Sequence, residues 1–133
     1  MALAKANLGF PVVISAGTTG TVYSVGSGKT CYIRSLVVYN STVGGTALNQ
    51  TFQVYVVPNN GGSVGVATSG HRIARTSIIS DDSYFMEFQY PITLQNNGDS
   101  IQIFNEGTYA WTLSGIATSN SPLNVLVLGD KEA

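Results

Sequence analysis

Charge is scarce in this sequence. Only 10% of its 133 residues are Asp, Glu, Lys or Arg, against about 25% in ordinary soluble domains. Ser, Thr, Asn, Gln and Gly make up the deficit, while the apolar fraction stands at an ordinary 44%. A surface of uncharged hydrogen-bonding groups lacks the repulsion that keeps free monomers apart, and covering it desolvates few ions. The six basic residues, Lys5, Lys29, Arg34, Arg72, Arg75 and Lys131, cluster no further than Arg72 with Arg75, and the formal net charge is -1. Electrostatic binding of nucleic acid needs several cations on one face, so no nucleic-acid partner is expected.

Cysteine and histidine are nearly missing too. Cys31 stands alone, which excludes an internal disulfide and fits a chain folded in a reducing compartment. In an apolar strand such a thiol behaves as a small buried hydrophobe. One His and one Cys cannot complete a structural zinc site. Asp81, Asp82 and Ser83 offer too few oxygens for calcium, so no cofactor or metal is expected. No apolar run nears the roughly 18 residues that span a bilayer, and no membrane partner is expected. Residues 1–16 resemble a signal peptide only superficially: Asn7 and Pro11 interrupt the apolar stretch, and residues 12–14 read better as a first strand. The sequons at Asn40 and Asn49 are then chance products of an Asn- and Thr-rich chain.

Helical periodicity is nearly absent. Short alternating segments recur instead, separated by Gly, Asn, Pro, Ser and Asp clusters. Residues 21–25 form a short strand ended by a turn at Gly28 and Lys29. Residues 31–40 form a long strand, with Ile33, Val37 and Tyr39 on one face and Arg34, Leu36 and Val38 on the other, as in a central strand covered on both sides. Further strands are read at 52–57, 71–79, 84–89, 92–94, 101–103, 109–113 and 124–128, with turns at 80–83, 96–99 and 105–107. Gly98 belongs to the turn that feeds Ile101 and Ile103 into the core, and Trp111 alternates with Tyr109 and Leu113 as a core aromatic. Arg34, amid apolar neighbours, calls for a carboxylate or an aromatic partner. Eight to ten strands without a linker predict an all-β, antiparallel two-sheet sandwich of jelly-roll type. Its expected division is an N-terminal arm or first strand at 1–17, a core at 18–118, and a C-terminal strand or tail at 119–133.

Catalytic patterns fail on context. Gly61-Gly62-Ser63-Val64-Gly65 matches the string of a nucleophile elbow, but no helix follows and no acid lies between Ser63 and His71, as that motif requires. The carboxylates Asp81, Asp82, Asp99 and Glu106 fall in turn sequences that explain them, leaving Glu87 without a partner for glycosidase chemistry. The reading is non-enzymatic. A carbohydrate-binding module is the rival, given Trp111 and seven tyrosines, although the loops are Gly, Asn, Ser and Thr rather than aromatic.

Thr21-Val22-Tyr23-Ser24-Val25, Gly28-Lys29-Thr30, Ile33-Arg34-Ser35-Leu36 and Asn40 together resemble a pattern found in small structural proteins of tailed bacteriophages. The resemblance continues through Val54-Tyr55-Val56-Val57-Pro58, Ile92-Thr93-Leu94, Gly98-Asp99-Ser100-Ile101 and Leu113-Ser114-Gly115-Ile116, spanning about residues 18–118. The chain departs from it in having Gly26 where proline is frequent, and in a 64–79 segment that lacks the usual compactness. The resemblance implies a β-sandwich virion protein made in the host bacterial cytoplasm. It would be a capsid decoration (cement) protein, partnered with itself as a homotrimer and with the major capsid protein, or else a tail, neck or vertex component. Under that reading the extended ends carry the assembly contacts: Leu3, Leu8 and Phe10 at one end, Leu123, Val125 and Val127 at the other. Gly28, Arg34, Gly98 and Trp111 are structural.

Overall fold

The computed structural model describes residues 3–41, 50–79, 82–112, 115–119 and 122–132, and the side chains of these except at 3–7, 107–119 and 132. Wherever β-branched and aromatic residues alternate with polar ones, the chain is extended. Ten strands result among the described residues: β1 (Leu3–Asn7), β2 (Val12–Ile14), β3 (Thr19–Ser24), β4 (Cys31–Asn40), β5 (Gln50–Val57), β6 (Arg72–Ile78), β7 (Ser83–Leu94), β8 (Ser100–Thr112), β9 (Gly115–Ser119) and β10 (Leu123–Glu132). A 3₁₀ turn, Ser69–His71, leads into β6.

One sheet has the order β1-β10-β4-β7, with β2 alongside the other half of β10; the second has the order β3-β8-β5-β6, with β9 on β8. All these pairings are antiparallel. β1 and β2 are two halves of one edge, interrupted at Gly9, whose φ of 139° suits glycine. With these halves counted together, β1/β2 pairs β10, β3 pairs β8, β4 pairs β7 and β5 pairs β6. Each pair nests inside the one before. This is the connectivity of a long hairpin rolled across two sheets, a jelly roll, as the strand pattern leads one to expect.

The inward residues of the two sheets meet in one core. Ile33, Leu36, Val38, Phe52, Val54, Ile101, Ile103, Leu123 and Val125 are fully buried there, each contributing about 1.5–3 kcal/mol of burial free energy. Phe52 on the second sheet meets Tyr84 on the first edge to face, ring centroids 5.9 Å apart. Polar ties close one end of the sandwich. Asn40 Nδ2 donates to Ile78 O at 3.2 Å, Gln50 Nε2 donates to Asn40 Oδ1 at 2.6 Å, and Asn105 Nδ2 donates to Ile14 O at 3.0 Å. Each joins the two sheets, and each satisfies polar groups that would otherwise be costly to bury.

Local irregularities depart from plain alternation. In β4 the register slips at Arg34 against both neighbours, β10 and β7. The slip places Cys31, Ile33, Leu36, Val38 and Asn40 on the inner face and leaves Val37 and Tyr39 half-buried outside. The strand is central, but the reading that both its faces are covered is corrected: one bulge changes the phase. The turn expected at 105–107 is absent as well. β8 runs through it, with Thr51 opposite Gly107 and Phe52 opposite Asn105, so Glu106 is the extra residue of a bulge. The two segments read at 84–89 and 92–94 form one strand, β7, whose residues 88–91 bulge out opposite Arg34. Pro91 is tolerated there because β7 is an edge.

The glycines read as turn residues occupy turns. Gly28 has φ 69° and Gly98 φ 95°. At Gly98 a Cβ would also lie only 2.5 Å from Ser63 O. Arg34 has its carboxylate: its Nε donates to Asp130 Oδ2. Trp111 lies on β8 opposite Ile116, and its side chain is outside those described.

Candidate functional site

The two ends of the chain are strands of one sheet rather than free arms. Leu8 is 7% exposed, and its N–H donates to Val127 O at 3.0 Å. Leu123, Val125 and Val127 are at most 3% exposed in the same core. They point inward because β10 lies between β1/β2 and β4, with its alternate residues facing the other sheet. The expectation that Leu8, Leu123, Val125 and Val127 contact neighbouring subunits is therefore corrected: in this chain they hold its own core. Leu3 sits in β1 opposite Glu132, and its side chain is not among those described. Of the six, Phe10 is the one seen at the surface, 92% exposed between β1 and β2.

One surface that turns apolar residues outward is the outer face of the first sheet. Residues directly opposite across strands project to the same side. Val37 lies opposite Leu126 on β10 and opposite Phe85 on β7, which makes a row Leu126–Val37–Phe85. Phe85 is 68% exposed, and on the β2 edge of the same face Val13, opposite Asn124, is 61% exposed. Tyr39 joins them, opposite Asn124 and Ser83. None of these side chains is charged. Among the described residues, the charges of this face gather at the bulge: Arg34, with its partner Asp130, whose side chain is 4% exposed, and Glu87 beyond them.

The opposite face, on the second sheet, is hydrogen-bonded and charged, although Ile73 on β6 and Val64 and Val66 in the segment that covers the sheet are exposed there. The Glu106 bulge carries its carboxylate between strands. Arg75 Nε donates to Glu106 Oε2 at 2.7 Å and Arg75 Nη2 to Oε1 at 3.0 Å. Gln53 Nε2 adds a third bond at 2.9 Å. Hydrogen bonding from Arg75 holds the Glu106 carboxyl below its usual range, against the effect of burial. Arg72 Nη1 and Tyr55 Oη both donate to Gln53 Oε1. The segment 58–68 folds back over this sheet, where Gln102 Nε2 donates to Gly65 O at 2.9 Å. That cover is why Tyr55 is buried although it alternates with Val54. The network ties the strands together.

A small cleft of about 220 Å³ opens at one end, lined by Val57, Pro58, Asn59, Leu94, Asn96 and Asp99 among others. Its one carboxylate is fully engaged. Asp99 Oδ1 accepts from Asn59 N and Nδ2, and Oδ2 accepts from Gln95 N and Asn96 N. Burial alone would raise the Asp99 pKa, but these bonds outweigh it and hold the group below the usual carboxylate value. His71 accepts locally from Thr68 N at 3.2 Å, a turn contact in the segment that contains Ser63. Cys31 is buried, its Sγ donating to Asp130 O at 3.3 Å.

No protein-family model and no curated protein sequence matches this chain. Among solved structures it is similar to a chain of the T13 particle of infectious bursal disease virus, at 11% identity and a TM-score of 0.39, covering 98% of this chain and 35% of that one. It is similar also to a chain of the Nora virus structure, at 12% identity and a TM-score of 0.41, covering 99% and 60%. A third is the VP2 subviral particle of infectious bursal disease virus, at 11% identity and a TM-score of 0.39, covering 98% and 32%. This chain thus spans between about a third and three fifths of the length of the chains it matches.

Proposed function

We propose that this chain is a non-enzymatic structural subunit of a virion, a decoration (cement) protein on the head of a tailed bacteriophage. The observation that carries the reading is the uncharged row Leu126–Val37–Phe85 with Val13 on the outer face of one sheet, set against the polar network on the other. A face that carries such an uncharged row is suited to lying on a surface. The resemblance to phage structural proteins across residues 18–118 supports the same conclusion. So does the low charge, since covering this face desolvates few ions. The major capsid protein is the partner proposed for the apolar face, and copies of this chain in a homotrimer are its neighbours. Many weak, repeated contacts over a closed lattice then act together as avidity.

The test is the ratio of this chain to the major capsid protein in purified particles, measured by quantitative gel densitometry. Near-stoichiometric amounts, reduced when Phe85 and Val37 are both changed to Ser, are the expected result. A small substoichiometric set would move the chain to a tail, neck or vertex. Its absence from particles would sink the virion reading altogether.

A further inference from the structure

An open sheet ends in two edge strands, and an edge with unpaired N–H and C=O groups invites pairing by another chain unless something blocks it. Of the strands that end the two sheet orders, most have their edges blocked. The β1/β2 edge is broken at residues 9–11 and carries Lys5. β3 has six residues and a slip between Thr21 and Tyr23. β6 carries Arg72 and Arg75, with a slip at Ile73. The far half of β7 has the 88–91 bulge and Pro91. The near half of β7, residues 83–87, has none of these devices, apart from its first residue, where the Ser83 N–H donates to Asp82 Oδ1 at 2.8 Å and leaves the edge groups of Phe85 and Glu87 to pair. It pairs β4 without a slip, from Tyr39 opposite Ser83 to Ser35 opposite Glu87, contains no Pro, Lys or Arg, and exposes Phe85.

We propose that residues 83–87 pair antiparallel with the same residues of a second copy about a two-fold axis, fusing the two first sheets into one. The inference rests on the reading that the chain assembles with copies of itself. It adds the strand through which it does so. The occupant follows from side-chain alternation and charge. Tyr84 and Met86 pack toward the core, so outward positions 83, 85 and 87 must face outward positions of the second copy.

Four symmetric registers near this centre are worth comparing. Pairing Glu87 with Glu87 opposes like charges, which is destabilising. Centring on Met86 sets Phe85 against Glu87, and centring on Tyr84 sets it against Ser83. Centring on Phe85 sets Phe85 against Phe85, Tyr84 against Met86, and Glu87 against the hydroxyl of Ser83. That register alone continues the apolar row, as Leu126–Val37–Phe85 followed by its mirror order in the second copy. It is an isologous contact that closes at two copies, and three-fold contacts through other surfaces can coexist with it in a shell. An edge of five residues buries less than the roughly 1,200 Å² of a standard interface, so free chains associate weakly and a lattice strengthens the contact.

Sedimentation equilibrium of the full chain at rising concentration tests this, using wild type, Phe85→Lys, Phe85→Glu and an equimolar mixture of the two variants. Wild type should show a monomer–dimer equilibrium, and each variant alone should associate at least tenfold more weakly. The mixture should regain dimer, because Lys then faces Glu. Ile73→Lys, on the β6 edge, should leave association unchanged. Phe85 lies outside the core, and unaltered thermal melting of the variants establishes that they fold. Variants that associate like wild type would overturn the edge assignment while leaving self-assembly standing. A mixture that stays monomeric, or a wild type that never dimerises, would overturn it too. The particle ratio above judges the virion reading separately.

Discussion

Gly129 tests how tightly the centre of the first sheet is closed. It lies in β10 opposite Ile33, at the point where the register slips past Arg34. A Cβ there would run into Tyr32 O, and would lie 3.1 Å from the Tyr32 carbonyl carbon and 3.2 Å from Ile33 Cα. All three atoms belong to the backbone of a central strand, so relief requires β4 and β10 to part. Overpacking of this kind costs about 1–3 kcal/mol, and the rigid neighbours put Gly129→Ala at the upper end, about 3 kcal/mol. For a domain of this size, about 4 °C of melting temperature accompanies each kcal/mol, which gives a drop of about 12 °C. Two other glycines are the controls. At Gly20 a Cβ meets Ile14 Cδ1, the flexible end of a side chain, so Gly20→Ala should cost about 1 kcal/mol. At Gly26 nothing lies within 4 Å and φ is not in the left-handed region. Gly26→Ala should therefore be neutral, or stabilise by up to about 1 kcal/mol through the unfolded state. Urea unfolding with a common m-value measures all three. A Gly129→Ala protein within about 1 kcal/mol of wild type, or one no worse than Gly20→Ala, would refute the packing argument, since 1 kcal/mol is the cost assigned to a yielding neighbour.

Three further outcomes follow from the charged and titrating groups. Arg34→Ala leaves the buried Asp130 carboxylate without its guanidinium and should cost about 2 kcal/mol in urea unfolding, below the 3–5 of a wholly buried pair because Arg34 is half-exposed. A loss under about 0.5 kcal/mol, the level of an ordinary surface substitution, would contradict it. Asp99 and Glu106 have folded pKa values below their ordinary 3.8 and 4.5. Their contribution is therefore present above about pH 4.5 and lost as the pH falls through the folded values. Asp99→Asn should flatten the acid limb of a stability–pH curve, and an unchanged limb would rule out the Asn59–Gln95–Asn96 hydrogen bonds as its source. Tyr23 is displaced the other way, pushed up from 10.0 to about 12 by burial and then by its bond to Cys31. That contribution is complete below pH 10 and fades as the pH rises toward 12. Tyr23→Phe should weaken the alkaline fall in stability, measured by fluorescence-monitored urea unfolding.

The all-β class, the two-sheet architecture and the turn glycines Gly28 and Gly98 were legible in the sequence, because period-two alternation and left-handed turn positions are local properties. Arg34's need for a partner, either a carboxylate or an aromatic ring, was legible as well, since an arginine amid Ile33, Leu36 and Val38 has few other solutions. Its identity was not, because Asp130 lies 96 residues away and only the pairing of β10 with β4 brings it there. The bulges at Arg34, Glu106 and 88–91 were hidden for the same reason: a bulge is a relation between two strands, and one strand's alternation does not contain it. Those slips decided the faces. They turned Leu36 and Val38 inward, put Val37 in line with Phe85 and Leu126, and made Glu106 a cross-strand acceptor instead of a turn residue. The terminal segments show the limit most plainly. The alternation in Leu123, Val125 and Val127 specifies a strand with one apolar side, and that is all a sequence can specify. Whether that side is buried by a neighbouring copy or by the chain's own second sheet is a matter of topology, and here β10 lies inside its own sandwich.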